Sequence, residues 1–132
     1  VVGNICATGT IGACSDIRYK ENFTSIRKPL QSILSLNGFY YNWKRGEFAG
    51  MQFPGNRQLG FSAQEVEKLF PEVVMTDENG YKSVDYGRLT PVLVEAMKEL
   101  TLKNQTLESR IDKIEAMLST HQLNTENSNS KK

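Results

Sequence analysis

Leucine and isoleucine recur every seven residues near the end of this chain, at Leu93, Leu100, Leu107 and Ile114. Met97, Asn104, Ile111 and Leu118 stand four residues after each of them, so the two sets form the a/d seam of a heptad repeat over about four heptads. This seam constrains the fold more than any other feature, because an apolar stripe on a long helix has to be covered. A helix folded back on its own domain would cover it too, but this one is long for that and carries charge on its other faces. A coiled coil is the expectation. Isoleucine at an a position (Ile111) and at a d position (Ile114) leans towards three or more strands, and Asn104 at an a position fixes register at some cost in stability. His121 falls on the next d position and reads as a helix-end residue rather than a ligand or catalyst. Residues 122–132 are polar and without period, and read as a disordered tail.

The rest of the chain must supply whatever this helix packs against. With 132 residues, 39% hydrophobic and 23% charged, there is material for one modest core and an extended appendage, not for two full domains. The expected class is α+β: a small globular domain followed by a long C-terminal helix that forms a trimeric coiled coil. A formal charge of +1 leaves no basic surplus with which to hold DNA, RNA or an anionic membrane. No apolar run nears the roughly 20 residues a bilayer crossing needs, and Val1-Val2 leads into Gly3-Asn4, which ends any signal-like stretch. The piece reads as soluble, and its start without Met reads as a fragment whose N-terminal parent is missing. Cys6 and Cys14 share a short segment with no histidine nearby and no CxxC spacing, so neither a metal nor another cofactor is expected. A disulfide between them stays open beside the plainer reading of two small apolar residues.

Along the chain, Gly3-Asn4-Ile5-Cys6-Ala7 is echoed by Gly9-Thr10-Ile11-Gly12-Ala13. The pattern G-x-I-x-A suits the end of a β-helix or interwoven β-stalk over residues 1–14, or else a Gly-rich linker. Composition turns polar from Ser15, which opens a globular part expected over 15–88. A helix is expected from Lys28 to Leu36, with Pro29 in its first turn and Asn37-Gly38 as its stop. Phe39 to Lys44 reads as an aromatic strand, and Arg45 to Gly60 as a long glycine-rich loop whose Met51 and Phe53 are candidates to touch a partner subunit. Phe61 to Phe70 reads as an amphipathic helix with Glu65, Glu67 and Lys68 facing away from the core, ended by Pro71. Val73 to Met75 and Tyr81 to Tyr86 read as a hairpin around Asp77-Glu78-Asn79-Gly80. The coiled-coil helix is expected over 89–121.

The usual catalytic apparatus is largely missing: there is no G-x-S-x-G elbow, Walker loop or metal-ligand cluster, and one histidine. A hydrolase here must work without histidine. Lysine can activate serine when the amine is neutral, a state favoured by desolvation or a nearby positive charge. Ser15 and Lys20 lie five residues apart, which aligns them on neither a straight strand nor one helix face, so they meet only if the chain turns between them. Spacing alone does not select this pair.

The sequence around the pair is more specific. Ser15-Asp16-Ile17-Arg18-Tyr19-Lys20-Glu21-Asn22 resembles the S-D-x-R-x-K-E-N signature that opens the intramolecular chaperone domain of endosialidase-type phage tail spikes. Leu36-Asn37-Gly38, Tyr41-Asn42-Trp43-Lys44, Gly60 to Val66, Phe70 to Val74, Val84-Asp85-Tyr86, Leu89 to Leu93 and Glu95 to Leu100 follow in the family's order. The stretch from Arg45 to Arg57 departs from it. The resemblance implies a homotrimer at the end of a fibre, spike or surface protein, which helps an upstream β-stalk of its own chain to fold and is then released by autoproteolysis. A variant occurs in membrane-tethered eukaryotic transcription factors. Carried over by position, Ser15 is the nucleophile, Lys20 the general base, and the cut falls between Cys14 and Ser15. Arg18 would then either favour the neutral amine by like-charge repulsion or make a surface salt bridge. The location implied is a virion, or a bacterial cell surface if the parent is cellular, with a soluble released fragment. The rival readings are a permanent trimerisation or adhesion tip that cuts nothing, and a sugar-binding tip using Tyr40, Tyr41 and Trp43, which would need those rings exposed.

Overall fold

A computed structural model describes residues 14–129, with side chains through His121. The stalk-like repeat, and with it Cys6 and any Cys6–Cys14 disulfide, lies outside the described residues. The first helix, α1 (Pro29–Leu34), begins at proline, whose fixed φ suits a first helical position. Lys28 before it is left-handed (φ 49°) and offers no side-chain cap. The cap comes instead from a distant residue: the Leu30 amide donates to the Glu99 carboxylate at 3.3 Å. α1 is shorter than expected because its end tightens, with the Leu36 amide donating to the Ile33 carbonyl at 3.1 Å.

Two small antiparallel hairpins follow. β1 (Phe39–Tyr41) pairs with β2 (Gln58–Gly60), and Tyr40 stands opposite Leu59. β2 lies inside the stretch read as one long loop. Between them the chain is stitched down by its aromatics: Phe53 stacks on Trp43 with centroids 4.1 Å apart, and Phe48 meets Tyr81 edge-on at 6.0 Å. Phe53 is therefore half-buried against its own domain, whereas Met51 is exposed.

α2 (Ala63–Leu69) starts where the Ser62 hydroxyl accepts the Glu65 amide at 3.4 Å, and Phe70-Pro71 stops it. A 3-10 turn, Pro71–Val73, leads into β3 (Val74–Thr76), which pairs with β4 (Lys82–Val84). Gly80 takes the positive φ (84°) that this tight connection demands, and Asp77 Oδ1 accepts the Asn79 and Tyr81 amides. Glu67 does not face away as expected, because its carboxylate accepts Lys82 Nζ of β4 at 2.8 Å. Glu65 is also half-buried, with one carboxylate oxygen enclosed.

A 3-10 turn, Tyr86–Leu89, capped by Asp85, delivers the chain into α3 (Thr90–Asn129). The helix runs through residues 122–129, which were expected to form a disordered tail. No glycine or proline follows Pro91 to interrupt it. Val66, Phe70, Val73, Leu89, Val92 and Ala96 form the buried core, joined at the edge by Ile33, Leu36, Phe61, Val74 and Val84, and Pro29 of α1 is buried as well. Leu89, Val92 and Ala96 place the start of the long helix inside the globular core. The fold is α+β, with two small sheets and a long C-terminal helix.

Candidate functional site

The segment before α1 carries the serine and lysine singled out above. Asp16 caps a 3-10 turn, Ile17–Tyr19, by accepting the Arg18 amide at 2.9 Å. The Tyr19 amide donates to the Asp16 carbonyl and the Lys20 amide to the Ile17 carbonyl, each at 3.1 Å. This is the turn that a five-residue spacing required. It brings Lys20 Nζ to 2.8 Å from Ser15 Oγ, a hydrogen-bond distance. Both side chains are exposed in the single chain, as is Cys14 just before them.

Arg18 does not face Lys20 as a bare charge. Its Nε donates to Asp16 Oδ1 at 3.0 Å and its Nη2 to Oδ2 at 2.7 Å, a two-pronged pair. The Arg18 guanidinium holds the Asp16 carboxyl below its usual range, and the carboxylate in turn raises the guanidinium. Of the two roles open to Arg18 from sequence, the structure has the salt bridge. Asp16 is the residue that sequence reasoning passed over. Its signal was available only in its residue type, since aspartate is among the preferred N-cap and turn-capping residues.

The heptad residues leave a second feature unsatisfied. Leu93, Met97, Leu100, Leu107, Ile111, Ile114 and Leu118 are all exposed in the single chain, from 45% for Leu93 to 68% for Met97, and Asn104 is exposed among them. α3 thus has two faces near its start: Val92 and Ala96 against its own domain, and the seam turned to the outside. The aromatic candidates for sugar binding are differently placed. Trp43 is covered on one face by Phe53 and meets Tyr41 edge-on at 5.1 Å, while Tyr40 is exposed with the Arg57 guanidinium 3.6 Å from its ring centroid. Among the described residues there is no cluster of three or more His, Cys, Asp or Glu side chains able to hold a metal, and no helix long and apolar enough to cross a membrane.

Comparison with known families decides where this arrangement belongs. The family model described as chaperone of endosialidase matches residues 15–75, from the serine of the turn through β3. Residues 15–75 belong to the endosialidase chaperone family. Its formal name is that of a peptidase family. Two relatives are the long tail fiber proteins Gp37 of Enterobacteria phages K3 and T2, each 33% identical over 101 residues, which cover 74% of this chain. A third is myelin regulatory factor homolog 1 of Caenorhabditis elegans, 30% identical over 123 residues and 90% of this chain. The chain spans 13% of the worm protein's length and 8% and 7% of the two phage proteins. The segment alike in these proteins is thus a small part of much longer relatives, and the family match on this chain begins at Ser15.

Proposed function

We propose that this chain is the trimerising intramolecular chaperone at the end of a fibre protein, and that it releases itself by cutting between Cys14 and Ser15. The observation that supports the chemistry is the 2.8 Å approach of Lys20 Nζ to Ser15 Oγ across a capped turn. In the reaction, a neutral Lys20 amine takes the proton from Ser15 Oγ. The oxygen attacks the Cys14 carbonyl carbon, the Cys14–Ser15 C–N bond breaks, and Lys20 returns the proton to the departing Ser15 amine. The product is an ester of Cys14 on Ser15 Oγ. Water hydrolyses it to a Cys14 carboxylate and a free Ser15 hydroxyl.

Exposure gives this reaction its control. In the single chain both groups face water. Packing of three copies through the α3 seam expels water from Lys20 and favours the neutral form, so cutting follows assembly. The phage tail-fibre relatives support a reading in which the parent belongs to a virion and its own upstream stalk is the client. Long-range β pairing is slow because chain entropy is lost before contacts compensate it, and a trimeric clamp raises the local concentration of three strands. Removing the clamp afterwards leaves a stalk that is kinetically trapped in its folded form. The same exposure favours one rival, a permanent trimerisation and adhesion tip in which a hydrated Lys20 never acts.

The test is expression of the domain behind its natural upstream sequence, with denaturing mass measurement of the products. Wild type is expected as two fragments, the second starting at Ser15, and both Ser15→Ala and Lys20→Arg as one intact chain. Intact wild type selects the permanent tip. Cleaved Ser15→Ala removes Ser15 as nucleophile.

A further inference from the structure

No side chain of the Ile17–Tyr19 turn is buried, and Ser15 and Lys20 on either side of it are exposed. Packing therefore does not hold the geometry of the pair. Nor does the turn hold itself, since three residues in 3-10 conformation lose more chain entropy than so few backbone hydrogen bonds return. What remains is one carboxylate. Asp16 gathers three N–H groups of Arg18: the backbone amide at 2.9 Å, Nε at 3.0 Å and Nη2 at 2.7 Å.

We propose that Asp16 and Arg18 are the positioning residues of the Ser15–Lys20 pair, acting as a polar clamp that shuts the turn and keeps the guanidinium charge balanced beside the lysine. The inference rests on the self-cleavage reading above. The clamp does two separable things. Through the backbone amide of Arg18 it closes the turn, so that the Lys20 side chain comes back to Ser15. Through the guanidinium it sets the field at Lys20, whose charged neighbours along the chain are Asp16, Arg18 and Glu21. With the carboxylate and guanidinium joined, their opposite charges compensate each other. Removing either partner leaves one unbalanced charge, and the sign depends on which is removed.

That sign provides a test a merely structural turn would not pass. The chain with its natural upstream sequence is captured uncut in denaturant, refolded across a range of pH, and its cleavage rate followed by denaturing mass measurement. Asp16→Ala opens the turn and is expected to slow cleavage about ten-fold or more, since small misplacements of reacting groups cost rate steeply. Asp16→Asn keeps an oxygen for the Arg18 amide but frees the guanidinium, which favours the neutral amine. Its rate profile is expected to move to lower pH by about half a unit. Arg18→Gln frees the carboxylate, which favours the charged amine, and its profile is expected to move to higher pH by about the same amount.

Sedimentation shows which variants still assemble. Asp16→Asn and Arg18→Gln carry the test if Asp16→Ala does not. Asp16→Ala cutting at the wild-type rate, or the other two profiles moving together or not at all, overturns the clamp and leaves self-cleavage standing. Wild type that stays intact overturns both.

Discussion

At Gly60 the chain leaves room for a hydrogen and nothing larger. A Cβ built there would lie 2.5 Å from the Tyr86 hydroxyl, which accepts the Phe61 amide at 3.0 Å and so cannot move without losing that bond. Gly60→Ala is expected to destabilise the domain by about 1–3 kcal/mol in denaturant unfolding, as for overpacking elsewhere. Tyr86→Phe alone removes the acceptor and is expected to cost about 1 kcal/mol. In the double variant the clash has gone, so the two losses should sum to more than the measured total; strict additivity would contradict this contact. The sequence offers no sign of this constraint, because Gly60 reads as one more loop glycine and its partner lies far along the chain. Ser15 and Lys20 are a different case. The residues were legible through the signature around them, but their meeting depends on a turn whose cap, Asp16, had to be seen bonding to Arg18.

Among the elements, α1 depends on a residue outside itself. Its own Lys28 supplies no cap, and Glu99 of α3 supplies one through the Leu30 amide. The Lys103 side chain, 2.9 Å from Glu99, is the largest influence and holds this carboxyl below its ordinary value; burial opposes it, and the Leu30 amide adds a smaller effect in the same direction as Lys103. A carboxyl depressed in the fold contributes stability that is present above its unfolded value and lost as pH falls through its folded one. The stability difference between wild type and Glu99→Gln should therefore be present at neutral pH and shrink in acid below the carboxylate range. A difference independent of pH would contradict the depressed Glu99 carboxyl. α3 itself carries the second prediction at this scale. Leu107→Arg sets a charge in the middle of the proposed seam and should turn a trimer into a monomer on sedimentation, while leaving the globular core, which Leu107 does not touch, folded by circular dichroism.

The helices and both strands of the second hairpin were legible from periodicity and from punctuation by Pro29, Gly38, Pro71 and Gly80. β2 was not. It is three residues long, ends in glycine, and its pairing with β1 is fixed by partners across the sheet rather than by any alternation of its own. The C-terminal limit of α3 was misplaced for the opposite reason: residues 122–129 lack an apolar stripe, yet nothing in them breaks a helix.

The whole molecule has a small core and a long exposed seam. Few side chains are buried in the globular part, and a core of this size gives a single chain little stability of its own. The apolar stripe of Leu93 to Leu118 is exposed in the single chain, and in the proposed trimer other copies cover it. In the proposed account folding and assembly are linked, and the exposed Ser15–Lys20 pair is the site that assembly activates. The match of residues 15–75 to the endosialidase chaperone family accords with the proposed design, in which a chaperone released after use needs stability only as a complex. Native mass spectrometry of wild type expressed behind its natural upstream sequence tests the central claim most directly. The account predicts a released complex of three copies, each chain beginning at Ser15. A monomer, or a trimer of chains still joined through Cys14, would contradict it.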